Sequence, residues 1–399
     1  MRAAQGVTMS QRHHLVSLWL IFFINGSVMA SWSPRIPEVA AALDVGDAAL
    51  GIALLGFAAG AIPAMLCAGH LTRWVSPELV SLLSATAFSL GLPVIAAAPN
   101  LVALFAALFG MGVAGGLCDI TMNLTGVRIE HRLRSGVLGR LHAGFSLGVV
   151  AGGVGALVAT ALGASVAGHF AVVAAVLVVL AATAAPGLLR AEGRGPERER
   201  VPETARPPDG PRFTSHLPAA IAVMAICGLL LEGVITDWSA LLLTRDLGAT
   251  ATQGALALTL FSVAMVGSRA VTDLLADRLG ETVILCAGAV TAATAMTIGM
   301  LSAVPGIVVG SIVVIGLAIG PVFPITLSRA SRFGDPAASI ARISVVGYTA
   351  GLIGPLLIGG ISSAVGLPWT VTGAVLAGSL GILLALRPAS RGDETGTAP

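Results

Sequence analysis

Charge is what this sequence has least of: 11% of its 399 residues are Asp, Glu, Lys or Arg, where soluble domains carry about a quarter. That shortage excludes a water-soluble enzyme, and equally a disordered chain, which needs charge to stay solvated. Lysine is missing altogether, so all 22 positive residues are arginine, and they form no basic patch on which nucleic acid could be held. Aromatic residues amount to 5%, with a single tyrosine, Tyr348. The four cysteines, Cys67, Cys118, Cys227 and Cys286, stand far apart inside apolar runs with no CxxC or Cys/His spacing. They therefore read as small packing residues, neither metal ligands nor a disulfide framework. No phosphate-binding GxxxxGK[ST] loop is present, so ATP is not the energy source and no cofactor is expected.

What the chain has instead is apolar length. Hydrophobic residues make up 56% and glycine contributes 50 positions, with a mean hydropathy of +0.93. Windows of about 19 residues pick out twelve spans, near 15–34, 49–71, 78–97, 100–126, 138–163, 166–189, 217–243, 252–272, 282–302, 304–328, 340–363 and 366–386. The fold class expected is an all-α polytopic membrane protein. The first span follows Arg12 and resembles a signal peptide, but the spans after it make it a membrane helix. Arginines 128, 132, 134 and 140, those from Arg190 to Arg212, and Arg329, Arg332, Arg387 and Arg391 all fall on the side of the amino terminus, whereas only Arg35 and Arg245 fall opposite. Cytoplasmic loops retain positive charge, so both termini are expected in the cytoplasm.

The one long hydrophilic segment, 191–215, is rich in Pro, Glu and Arg and has the composition of a solvated linker. It splits the chain into residues 1–190 and 216–399, six spans each. The halves repeat one another. Asn25-Gly26 with Trp32-Ser33 is echoed by Glu232-Gly233 with Trp238-Ser239, Gly116-Leu117 by Gly316-Leu317, and Arg140 by Arg342. Such offsets, about 200 to 207 residues, mark a duplicated six-helix unit, and two pseudo-symmetric bundles around a midplane site are the architecture of a secondary transporter.

The segment DLLADRLG, Asp273 to Gly280, joins spans 8 and 9 and resembles the loop signature of the major facilitator superfamily; the matching run between spans 2 and 3, GHLTRWV from Gly69, lacks the acid. The blocks GLCDITMN from Gly116, RLHAGFSLG from Arg140, EGVITDWSALLL from Glu232 and GPVFPITLSRASR from Gly320 are similar to a bacterial branch of that superfamily near the fucose-permease group. The resemblance covers nearly the whole chain. It implies the major facilitator fold and spans 1 and 7 lining a shared cavity, and it leaves the solute open, because unrelated solutes share fold and signature.

Ionisable groups at membrane depth cost about 2.5–3.5 kcal/mol each on insertion scales and need a partner, a wet cavity or a task. Glu232 lies roughly 20 Å from Arg245 and 24 Å from His216 along its helix, near the midplane. Asn25 occupies the related place on span 1. Glu232, Thr236 and Ser239 form a stripe at i, i+4 and i+7, with Asp237 on another face. Asp119 and Asn123 are paired at i, i+4 on span 4. Glu232, and after it Asp119, are the candidates for a carboxyl that loads and releases a proton, against the alternative that they only bind helices together. Asn25, Trp32, Asn123, Thr236 and Tyr348 are the candidate solute contacts, with ring stacking open to Tyr348, Trp32 and Trp238; the tryptophans could equally be interface anchors. Arg269, Asp273 and Asp277 stand four residues apart on span 8 and, with Arg278, are candidates for a charged gate or a structural staple. Gly144-x-Ser146-x-Gly148 satisfies a hydrolase pattern inside what reads as a helix, where Gly148, Gly152 and Gly155 suggest close packing instead.

Function is thus expected to be secondary transport of a small organic solute through the cytoplasmic membrane, proton-coupled and leaning to a polar, sugar-like molecule taken up by symport. The partners expected are the solute, protons and the bilayer, and the expected assembly is a monomer. Proton-driven efflux of a drug or metabolite is the first alternative, and a membrane sensor without transport the second.

Overall fold

The computed structural model describes residues 9–133, 137–192, 218–330, 332–333 and 336–387. The linker expected at 191–215 lies almost wholly outside them, as do the side chains of Asp273 and Tyr348. The elements are α1 (Met9–Trp32), α2 (Ile36–Ala42), α3 (Asp47–Leu71), α4 (Pro77–Ala96), α5 (Leu101–Leu133), α6 (Leu138–Ala161), α7 (Val166–Glu192), α8 (Ala219–Leu241), α9 (Ala251–Leu279), α10 (Glu281–Ser302), α11 (Pro305–Ile319), α12 (Val322–Ala330), α13 (Pro336–Val365) and α14 (Leu367–Ala385). Among the described residues 11 helices are long and apolar enough to cross a membrane, and α13 adds the apolar stretch Thr349–Val365.

The first of the twelve expected spans ends at a break, and the tenth contains one. A 3-10 turn, Ser33–Arg35, joins α1 to α2, because Pro34 and Pro37 offer no N–H to continue the ladder. The tenth span divides into α11 and α12 around Gly320-Pro321 for the same reason. The loop signature also has a local explanation. Gly280 sits between α9 and α10 with φ of 85°, a conformation that a side chain disfavours, so the sharp reversal falls on the glycine.

The packing shows the duplication more directly than the sequence does. In the first six-helix bundle α1 packs on α6 and α7, α5 on α3 and α4, and α4 on α7. In the second, α8 packs on α13 and α14, α11 on α9 and α10, and α10 on α14. Substituting each helix by its repeat turns one set of contacts into the other. The boundary obeys the same rule, since α3 meets α13 and α6 meets α9.

With no hydrophobic drive between apolar helices in lipid, close approach must supply the attraction. A side chain at Gly148 would strike the backbone of Phe23, and one at Gly152 the backbone of Ser27; Ser27 Oγ bonds Gly148 O at 3.1 Å in the same contact. Gly155, expected in that stripe, faces open space, and Gly144, packed on Trp19, takes its place. The stripe therefore runs at i, i+4 and i+8, the spacing that keeps one helix face on its neighbour.

Candidate solute cavity

A cavity of about 900 Å³ lies between the bundles, walled by α1 with its 3-10 turn, α6, α8 and α9. Helical periodicity selects its lining. On α9 the wall is Leu258, Ser262, Met265 and Arg269, and on α6 Gly139, His142, Ser146 and Val150, each set returning every three or four residues to one face. Most of the wall is apolar, with Met29, Phe145, Phe261 and Met265 prominent.

Among the described residues the wall carries one ion pair. Arg269 NH2 lies 2.8 Å from Glu232 Oε2, with the two side chains 35% and 31% exposed. Arg269 is anchored a second time, donating from Nε to the carbonyl of Gly320 at 3.3 Å. Thr236, one turn beyond Glu232, donates to the backbone carbonyl of Glu232 at 2.8 Å and lines the cavity beside it. A half-exposed pair of this kind contributes at most about 1 kcal/mol to stability, so it is not there to hold the fold.

The end of the bundle away from the amino terminus is closed. Asp47, at the start of α3, pairs with Arg245 and accepts a hydrogen bond from Ser362 on α13, and the second guanidinium nitrogen of Arg245 reaches Asp47 Oδ2 at 3.2 Å. Leu242–Asp246 is a π-helical turn that brings Arg245 to this position. Below the latch, the backbones of α3 and α13 touch at Gly51 and Gly359, where added side chains would strike Pro355 and Asp47. Gly153 of α6 likewise closes on Thr259 of α9. Toward the other face the lining runs to Gly139 at the start of α6 and to the exposed His142 and Ala270, so the cavity opens on the face where α1 begins.

The other expected site residues divide between places. Asn25 is buried and its amide donates to Met122 Sδ at 3.5 Å; the α1 positions that line the cavity, Met29, Ala30, Ser33 and Pro34, centre roughly 110° around the helix from it at 100° per residue. The two helices do share a cavity, as expected, but Asn25 is not among the residues that line it with Glu232. Asp119 and Asn123 are bonded to each other, Asn123 Nδ2 lying 3.3 Å from Asp119 Oδ1, and no residue of α5 is in the lining. Trp32 is 2% exposed and packs on Phe170 with ring centroids 6.3 Å apart, and Trp238 is equally buried; neither presents a ring to the cavity. Ser239, expected in the polar stripe of α8, is buried, so the stripe ends at Thr236. Asp277 and Arg278 are exposed on the last turns of α9.

Sequence reasoning passed over three features. Arg245 and Arg35 were the only arginines on the sparse side, a signal that each needs an acid. Asp47 answers the first, and Glu38 the second at 2.7 Å, with Arg35 wholly buried and bonded also to the carbonyl of Ala164 and to His169 Nδ1. Ser33 lines the cavity with its hydroxyl buried and unpartnered. His142, within the block that begins at Arg140, lines the cavity as well.

No family model matches the chain. It is 31% identical over 354 residues to a Yersinia pestis protein named as an MFS-type transporter, covering 87% of this chain and 88% of that one. Among solved structures it is similar to the nucleoside transporter NupG, with a TM-score of 0.68 at 13% identity over 94% of this chain and 100% of the other. A D-xylose-proton symporter gives a TM-score of 0.69 at 14% identity over 94% and 96%. At those identities the likeness of the solved structures concerns the fold.

Proposed function

We propose, from the premise that the chain belongs to the major facilitator superfamily of membrane transporters, that it moves a small polar organic solute across the cytoplasmic membrane by alternating access, coupled to protons. The observation that carries this reading is a cavity between two pseudo-symmetric bundles, sealed at one end by Asp47, Arg245 and Ser362 and holding the Glu232–Arg269 pair in its wall. The protein is a transporter and not an enzyme. Glu232 is the proton carrier in this scheme, since Glu can shed its charge and Arg cannot. The arginine asymmetry supports a cytoplasmic location for both termini, which makes the state described inward-open. The division into bundles at 1–190 and 216–399 with a cytoplasmic linker at 191–215 follows from the same topology.

Two solved relatives in fold are named for nucleosides and for D-xylose with protons, which supports a hydroxylated solute and symport. The apolar wall of Met29, Phe145, Phe261 and Met265 favours a second reading, efflux of an amphipathic metabolite or drug in exchange for protons. Both are tested together. A thermal-shift screen of the detergent-purified protein finds ligands, because a compound that binds only the folded state raises the melting temperature. The hits are then presented to proteoliposomes with a pH gradient imposed in either direction. Accumulation on the side that protons flow toward is the outcome expected; accumulation on the side they leave establishes antiport, and no gradient-dependent accumulation overturns proton-coupled transport.

A further inference from the structure

The two partners of the cavity ion pair are not held equally. Arg269 has its own anchor in the carbonyl of Gly320, which keeps the guanidinium in place whatever Glu232 does. The carboxylate of Glu232 has only Arg269 as its side-chain partner among the described residues, since Thr236 bonds its backbone carbonyl. Arg269 is also the one arginine in the lining. A ligand entering the cavity can therefore replace Glu232 far more easily than it can replace Arg269.

Charge bookkeeping selects the same direction. A cation bound to Glu232 would strand Arg269, which cannot lose its proton, and leave the site with a net positive charge that nothing neutralises. An uncharged solute leaves the pair intact and gives binding no reason to involve a proton. An anion bound to Arg269 strands Glu232 instead, and a carboxylate can be neutralised by a proton from water. The exchange Arg⁺Glu⁻ plus anion plus proton gives Arg⁺anion⁻ and GluH, and the net charge of the site is zero before and after. We propose that the solute carries a single carboxylate-like anionic group, that this group takes the place of Glu232 on Arg269, and that the displaced Glu232 binds the proton that accompanies it. Ser33, with its buried hydroxyl unpartnered at the sealed end of the same cavity, supplies a hydrogen bond to the rest of the molecule.

Other ionisable groups near α8 have different stations. Arg245, Asp246, Arg35 and Glu38 are engaged at the closed face, Arg329 is held by Glu281 at 2.9 Å, Arg342 lies near the start of α13 and Asp237 is on another face of α8. Among the described residues His142, across the cavity on α6, is the remaining titratable side chain in the lining, so its variant serves as the control.

The inference rests on the transport reading above, and its test separates the two. Matched compounds are compared by thermal shift and by proton uptake in weak buffer: D-glucuronate with D-glucuronamide and D-glucosamine, and benzoate with benzamide and benzylamine. Stabilisation by an acid and not by its amide or amine is expected, with one proton taken up per acid bound. Glu232→Gln should bind the acid about fivefold more tightly, the competing partner being gone, and without proton uptake. Arg269→Lys should weaken binding, and His142→Gln should leave the uptake unchanged. Stabilisation by an amide or amine equal to that by the acid, no stabilisation by either acid, acid binding without proton uptake, or uptake that persists in Glu232→Gln overturns the proposal. Should an uncharged compound accumulate under a pH gradient, transport stands and the anion exchange falls. Should an acid bind with proton uptake yet never accumulate, the reverse holds.

Discussion

Glu232 shows how little of a site depends on residue type alone. At membrane depth a carboxylate needs a partner or a wet surface, and here it has both, Arg269 at 2.8 Å and a cavity that leaves it 31% exposed. Glu232→Gln mimics the protonated form and removes the charge that a proton must follow. Accumulation of solute against its gradient should disappear in reconstituted protein, while equilibrium counterflow, in which no proton need be released, continues. A variant that still concentrates solute under an imposed pH gradient as the parent does would move the coupling role elsewhere, with Asp119 next in line. The depth of Glu232 and its stripe with Thr236 were legible in the sequence, because both follow from counting along one helix. Its pairing with Arg269 was not, because the rotation of α9 against α8 is decided by packing that no single helix encodes. Asn25 illustrates the same limit: duplication placed it opposite Glu232 along the membrane normal, but its turn around α1 sends it to Met122.

At the scale of elements, the sequence revealed each helix and concealed how they join. The twelve apolar spans come from composition, and the helices lie where those signals put them, although α9 continues to Leu279 through the segment expected to join spans 8 and 9. The break at Gly320-Pro321 interrupts an apolar run without ending it, so hydropathy passes over it, whereas the turn at Pro34 falls where the first expected span ends. The contact between α3 and α13 depends on Gly51 and Gly359 meeting across 308 positions of chain, a match invisible to any local pattern. Since this crossing joins the bundles at the shut end, Gly359→Val should disfavour that closed state. A bulkier residue there costs about 1–3 kcal/mol where packing is tight, enough to shift a two-state equilibrium by fivefold or more. A cysteine at Gly248, beyond the seal, should report no change, whereas one at Met29, in the cavity wall, should gain reactivity toward a membrane-impermeant thiol reagent added from the closed side. Unaltered labelling of Met29→Cys in the Gly359→Val background would show that the crossing does not set the equilibrium.

The latch that crowns this crossing works by charge. Asp47 is 8% exposed and its carboxylate answers Arg245 and Ser362 together, so removing the acid leaves a guanidinium facing the boundary with its partner Asp246 alone. Asp47→Asn keeps the size and loses the pairing. It should favour opening on that face and raise reactivity at the same Met29→Cys position, with the folded fraction little changed because both bundles retain their own contacts. An Asp47→Asn protein labelled no faster than the parent would assign the latch a purely structural part. Asp277→Asn on the opposite face should act inversely, slowing the return to the closed state there while sparing solute affinity, since the residue is exposed and distant from the cavity; lost affinity at an unchanged transport rate would exclude it as a gate.

For the molecule as a whole, the open end of the cavity has physiological meaning only once the membrane's sides are assigned. Both the helix count and the packing symmetry are indifferent to that choice, because turning the bundle over leaves every internal contact in place. The decision belongs to the arginines outside the helices, which are retained on the cytoplasmic side during insertion. Position 200 lies within the arginine-rich segment between the bundles and Gly248 lies just past Arg245 at the closed face. A single cysteine at 200 in a background without the four native thiols should therefore resist a membrane-impermeant maleimide in intact cells and react once the cells are permeabilised. A single cysteine at 248 should react in both conditions. Labelling of position 200 from outside would invert the topology, make the described state outward-open, and reverse the direction in which the Glu232–Arg269 site first meets its solute.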